Sequence, residues 1–146
     1  QAAASADIGR FVSQLNARKA LTASLLLRAV ARGQMDFLEH GLAELAGTPH
    51  QRAWLMVHDA GPLGLKALYD RAGLPPRLFQ AFRAGVDTWR QLQSEGADTT
   101  GEAFREQMLQ RFLTQRPNAP REDLAYLMER LDQPVAETTP RAANAA

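Results

Sequence analysis

Few side chains in this sequence are able to do chemistry, and their spacing restricts what they can do. His50 and His58 lie eight residues apart with Asp59 beside the second, so on a helix they share a face and offer imidazoles to a metal ion. Two turns, about 12 Å along the axis, separate them. One ion would therefore need donors from another segment, and surface histidines near helix ends are the simpler expectation. Ser13, Ser24 and Ser94 are the candidate nucleophiles, but each sits in or at the end of a helical segment, without the strand–turn–helix elbow that presents a serine to a base. Asp36, Glu39 and Glu44 share the polar side of one segment, where solvated charge is expected.

Anion chemistry has two candidate sources. The nearest thing to a phosphate loop, Gly61-Pro62-Leu63-Gly64-Leu65-Lys66, has no strand before it and no Lys-Ser/Thr ending, and Pro62 removes an amide that would hold the anion. Helix termination explains it better. Arginines are the other source: Arg28, Arg32 and Arg77 are the candidates for meeting an anion in a cleft between helical hairpins. Arginine outnumbers lysine throughout the chain, which reads first as a bias of base composition.

The whole-chain balance excludes several classes. There is no cysteine, hence no disulfide framework, thiolate metal site or cysteine nucleophile. A net charge of +1 gives no electrostatic case for nucleic acid or a membrane surface. The longest nearly apolar run, Ala20–Ala31, is too short to span a bilayer and is broken by Thr22, Ser24 and Arg28. The start, QAAAS, has neither an initiator Met nor a signal-peptide pattern, so an excised piece of a longer protein is expected, with the cytoplasm as its location.

The elements that must position any site are helices. Segment 7–18 puts Ile8, Phe11, Val12 and Leu15 on one face, and segment 22–32, capped by Thr22, is apolar almost all round. Segment 35–46 carries Met35, Leu38, Leu42 and Leu45, with Gly41 in the same seam. A helix crossing is expected there. Thr48-Pro49-His50-Gln51 reads as a capping box opening the next segment, whose Trp54 is expected to anchor the core, and Gly61–Gly73 encloses another helix. Gly33, Gly47, Gly61 and Gly73 are separated by 14, 14 and 12 residues, the punctuation of consecutive hairpins.

The longest segment, 76–95, steps through Phe79, Phe82, Val86 and Trp89, and segment 102–115 presents Phe104, Met108 and Phe112. A last segment spans about 119–132. No period-2 strand occurs. The expected fold is all-α, about eight helices arranged as hairpins in a bundle or a short HEAT-like α-solenoid array. Residues 1–95 form the helical-hairpin core, 96–132 a C-terminal helical pair of the same domain, and 133–146 a disordered tail.

The runs LLLRAVARGQMDFLEHGLAELAG and RAWLMVHDAGPLGLKALYDRAGLPPRLFQAF, within Leu21–Leu92, resemble the C-terminal region of an alphaproteobacterial family known only as domain of unknown function 2336. The resemblance implies an all-helical fold attached to HEAT-like repeats ahead of Gln1. It brings no catalytic residues and no cofactor.

The leading expectation is a non-enzymatic module of a larger bacterial scaffold that binds another protein or a second copy of itself. Its surface would be Phe79, Phe82, Val86, Trp89, Phe104, Met108 and Phe112, the apolar faces in apparent surplus. The alternative is a sensor of a small ligand or nucleotide held by Arg28, Arg32 or Arg77. A third reading, a helix-turn-helix nucleic-acid binder, is disfavoured because Leu63, Gly64, Leu65 and Lys66 stand where base-reading side chains belong.

Overall fold

Leu25, Leu26, Leu27, Ala29 and Val30 leave their helix no broad polar side, so it has to be surrounded. In the computed structural model, which describes residues 2–115 and 121–132, that helix is α2 (Ala23–Ala31). It packs against α3 (Met35–Ala46), α6 (Phe79–Ser94), α7 (Gly101–Gln115) and α8 (Arg121–Asp132). Thr22 caps it as expected, its Oγ1 accepting from the Leu25 N–H at 3.2 Å. The remaining helices are α1 (Ala2–Ala17), α4 (His50–Val57) and α5 (Gly64–Arg71), with a 3₁₀ turn at Pro76–Leu78.

Two helices organise the packing. α3 gathers α1, α2, α4 and α5, while α2 is closed over by α6, α7 and α8. A linear array would let each hairpin touch only its neighbours in sequence, whereas here α2 reaches the last helix described, so of the two expected arrangements this is the bundle. The all-α expectation holds, with eight α-helices and no strand among the described residues. The expected tail, 133–146, lies outside the described residues.

Close approach is bought by small residues. Gly41 sits at the α2–α3 crossing as its place in the seam predicts, and a Cβ there would collide with Leu26. Gly85 is the second such point: a Cβ would run into Val30 of α2 and meet Met108 Sδ of α7 at 3.2 Å. Gly33, Gly47 and Gly73 stop their helices with φ of 75°, 67° and 77°. Gly61 does not belong to that series. It lies in a bend where its N–H is bound by Asp59 Oδ1 at 3.1 Å, and α5 begins only at Gly64.

Other local expectations shift for identifiable reasons. Pro49 takes extended dihedrals and α4 starts at His50, so Thr48 stands too early to cap it. α1 begins at Ala2 rather than Asp7 because the alanines before it are good helix formers. Arg83, Asp87 and Arg90, the charged side chains of α6, are partly covered: Arg83 donates to the Gly61 carbonyl at 3.2 Å and also pairs with Asp87 at 3.3 Å. These α6 side chains hold the α4–α5 connection.

Tyr69 is fully buried between Phe79 and Phe82, with ring centroids 5.1 and 5.2 Å away, and its hydroxyl donates to the Pro75 carbonyl at 2.6 Å. Burial pushes the phenol well above its usual pKa, and the neighbouring Asp70 carboxylate acts in the same sense. Tyr69→Phe should cost about 1–2 kcal/mol, read by urea denaturation, because the Pro75 carbonyl loses its donor while the ring packing is retained.

Candidate functional site

Every histidine of the chain lies in one network. α3 supplies Glu39, only 5% exposed, and α4 lies along α3 so that both of its imidazoles reach that carboxylate. His50 Nε2 is 3.1 Å from Glu39 Oε1 and His58 Nε2 is 2.6 Å from Oε2. The eight-residue spacing is thus bridged by a single side chain, each imidazole N–H donating to one oxygen. His40, also on α3, stacks flat on His50 with centroids 3.8 Å apart and planes 2° from parallel. Its Nε2 lies 2.9 Å from Ser5 Oγ of α1. At the other end Trp54 and Trp89 flank His58, at 4.9 and 5.4 Å between centroids.

This arrangement solves a burial problem before it does anything else. A carboxylate taken out of water is costly unless its oxygens are bonded, and Glu39 has a donor on each. The expectation of a solvated Glu39 is therefore corrected, because α4 covers it. Among the described residues no group of three or more His, Cys, Asp or Glu is placed to hold a metal ion. Ser5 and His40 make a hydroxyl–imidazole pair, but the acid of the network bonds His50 and His58 instead of His40, so the geometry is not that of a Ser-His-acid triad. Burial pushes His40 below its usual pKa and neighbouring His50 acts in the same sense, while Glu39 and Asp36 oppose them.

The second concentration of polar groups is a cleft of about 620 Å³. The end of α2, the turn after it and the start of α3 line it with Arg28, Arg32 and Asp36, and the start of α7 with Glu102 and Arg105. Arg28 is 7% exposed and Arg32 is open to solvent. Arg105 is also held by Asp132 at 3.0 Å. The starts of α3 and α7, whose first amides lack intrahelical partners, both border the cleft. Of the arginines expected to meet an anion, Arg28 and Arg32 are brought together. Arg77 is not: its guanidinium lies 4.1 Å over the Tyr126 ring, away from the cleft.

The expected protein-binding surface is corrected outright. Phe79, Phe82, Val86, Phe104, Met108 and Phe112 are all buried, and Trp89 is half-buried against His58. The two apolar faces were in surplus only while considered singly. α6 and α7 form a hairpin that packs one against the other and both against α2. Trp54, expected in the core, is 46% exposed, and with Leu55 and Leu63 it is among the large apolar side chains left in water.

Sequence reasoning missed His40, Ser5 and Arg105. A signal existed for the first, since His40 precedes Gly41 at the crossing and shares its helix with Glu39, but the stack depends on how α4 returns along α3. Arg105 is separated from Arg28 by about half of the chain and joins it through the closure of α7 over α2. Among the described residues no helix is long and apolar enough to cross a membrane.

A family model described as an uncharacterised protein conserved in bacteria, DUF2336, matches residues 1–122. No curated protein and no solved structure matches the chain.

Proposed function

We propose, for a chain that belongs to the DUF2336 family of uncharacterised bacterial proteins, that this bundle is a non-catalytic binding module whose ligand site is the arginine cleft. The observation that carries the reading is the convergence of Arg28, Arg32 and Arg105 on one cleft of about 620 Å³, a size suited to a small molecule. Guanidinium groups are the side chains best matched to phosphate or carboxylate oxygens. Asp36 and Glu102 share the cleft and Asp132 pairs with Arg105, so carboxylates offset the arginines. That balance suits a ligand with one acidic group and several hydrogen-bond donors, such as a nucleoside monophosphate, better than a polyphosphate.

The test is calorimetric titration with inorganic phosphate and with adenosine monophosphate at low salt. Saturable binding is expected, weakening as salt rises. Arg32→Ala should lower affinity about tenfold or more, the value of a lost charge-assisted hydrogen bond, and Arg77→Ala should leave it unchanged. Absence of binding by both probes, or equal loss in the two variants, would overturn the reading.

A protein partner is the second reading, favoured by the exposure of Trp54, Leu55 and Leu63 at 46%, 60% and 75% in the α4–α5 hairpin. It keeps the idea of a scaffold, with HEAT-like repeats elsewhere in the parent protein, and moves the contact from the α6–α7 faces to that hairpin. Both readings take the cytoplasm as the place of action.

A further inference from the structure

We propose that the histidine network is an acid-sensitive latch that holds α1 against the α3–α4 hairpin. It stands independently of the arginine cleft and rests on three observations.

The first is how α1 is attached. Its main neighbour is α3, and among its residues whose burial is described only Val12 is fully buried, while Ile8 and Leu15 are partly covered and Phe11 is 53% exposed. The apolar grip is small, so polar ties carry more of the attachment. They are Ser5 to His40 at 2.9 Å, Ser13 to Glu44 at 2.9 Å and Asn16 to Glu44 at 3.0 Å.

The second is where His40 sits. Gly9 brings the α1 backbone so close that a Cβ there would lie 3.2 Å from His40 Nδ1, and the same imidazole is stacked on His50. Any movement of His40 is therefore felt by α1 directly.

The third is charge. Two neutral imidazoles stack at 3.8 Å without penalty, but two protonated ones are like charges face to face. Histidine is the side chain whose charge changes between about pH 5 and 8. A cleft of about 540 Å³, lined by Gly9, His40, Glu44 and His50 among others, brings water to the joint. The groups facing His40 are Ser5 and Gly9 from α1, which carry no charge, Asp36, Glu39 and Glu44 from its own helix, and His50 from α4. Glu39 and Asp36 favour a charged His40, whereas burial and His50 act against it more strongly.

The sign follows. The folded state holds His40 below its usual pKa, so the unfolded or detached state binds the proton more readily. The stabilisation of the docked helix is present above the usual histidine pKa, near 6.5, and is lost as pH falls through the lower value of the docked state. Glu39, bridging His50 and His58, continues to tie α4 to α3, so the release is local to α1.

Hydrogen exchange, corrected for the intrinsic effect of pH, tests this on the intact chain at about pH 7.5 and pH 5. Protection of α1 amides should fall about tenfold or more on acidification while that of α6 stays. His40→Gln and His50→Gln should each abolish the pH response of α1, since either removes one charge of the stacked pair. An unchanged α1 in the wild-type chain, or an undiminished response in both variants, overturns the proposal. Should a variant lose α1 already at neutral pH, imidazole titration by NMR on the wild type decides. With three histidines in the chain the signals are few. α1 amide shifts that follow His40 support the latch, and shifts that ignore it overturn it.

Discussion

Phe82→Ala should destabilise the protein by about 3–5 kcal/mol, whereas Trp54→Ala should cost only about 1 kcal/mol, an inversion of the order that side-chain size suggests. Phe82 is fully buried in α6, its ring 5.2 Å from that of Tyr69, so truncation leaves a cavity walled by side chains already fixed in place. Trp54 is 46% exposed. Its removal gives up the contact with His58 and part of the indole's burial, and solvent fills what is vacated. Urea denaturation of the two variants measures the difference. Equal losses would mean that Trp54 is packed as a core residue.

Gly85→Val should be destabilising by about 3 kcal/mol despite the better intrinsic helix propensity of valine. Ordinarily, replacing glycine within a helix gains a few tenths of a kcal/mol from reduced chain entropy. Here the added carbons enter the space of Val30 and press on Met108, so α2, α6 and α7 cannot all keep their separation. Val30→Ala in the same chain should recover part of the loss, because it vacates the volume that the new side chain needs. A double-mutant cycle on the two positions should therefore show coupling well above the few tenths of a kcal/mol typical of distant sites. Simple additivity would place the strain elsewhere.

Periodicity and punctuation carried the fold because both are local. The apolar circumference of α2 announced that it would be surrounded, Thr22 and three of the four spaced glycines marked real helix ends, and Gly41 announced a crossing. The candidate site was legible only in pieces. Phe79, Phe82, Phe104 and Phe112 were recognisable as seams, yet whether a seam faces a partner molecule or the next helix depends on chain return, which spacing does not encode. Glu39 is indistinguishable in sequence from its solvated neighbours. What buries it is the path of α4, and the pair of histidines that satisfies it was visible only as two ligands too far apart for one ion.

The placement of α2 also bears on the order in which the chain can become protected. Its neighbours α6, α7 and α8 all lie in the second half of the sequence, so during synthesis from the N-terminus only α3 is at hand to shield it. Until α6, and after it α7 and α8, have emerged, α3 alone covers the side of α2 that carries Leu26, and the rest of its apolar surface stays open. The nascent protein carries its most apolar helix uncovered for the longest time, and that interval, rather than the finished bundle, is where aggregation or chaperone capture would compete with folding.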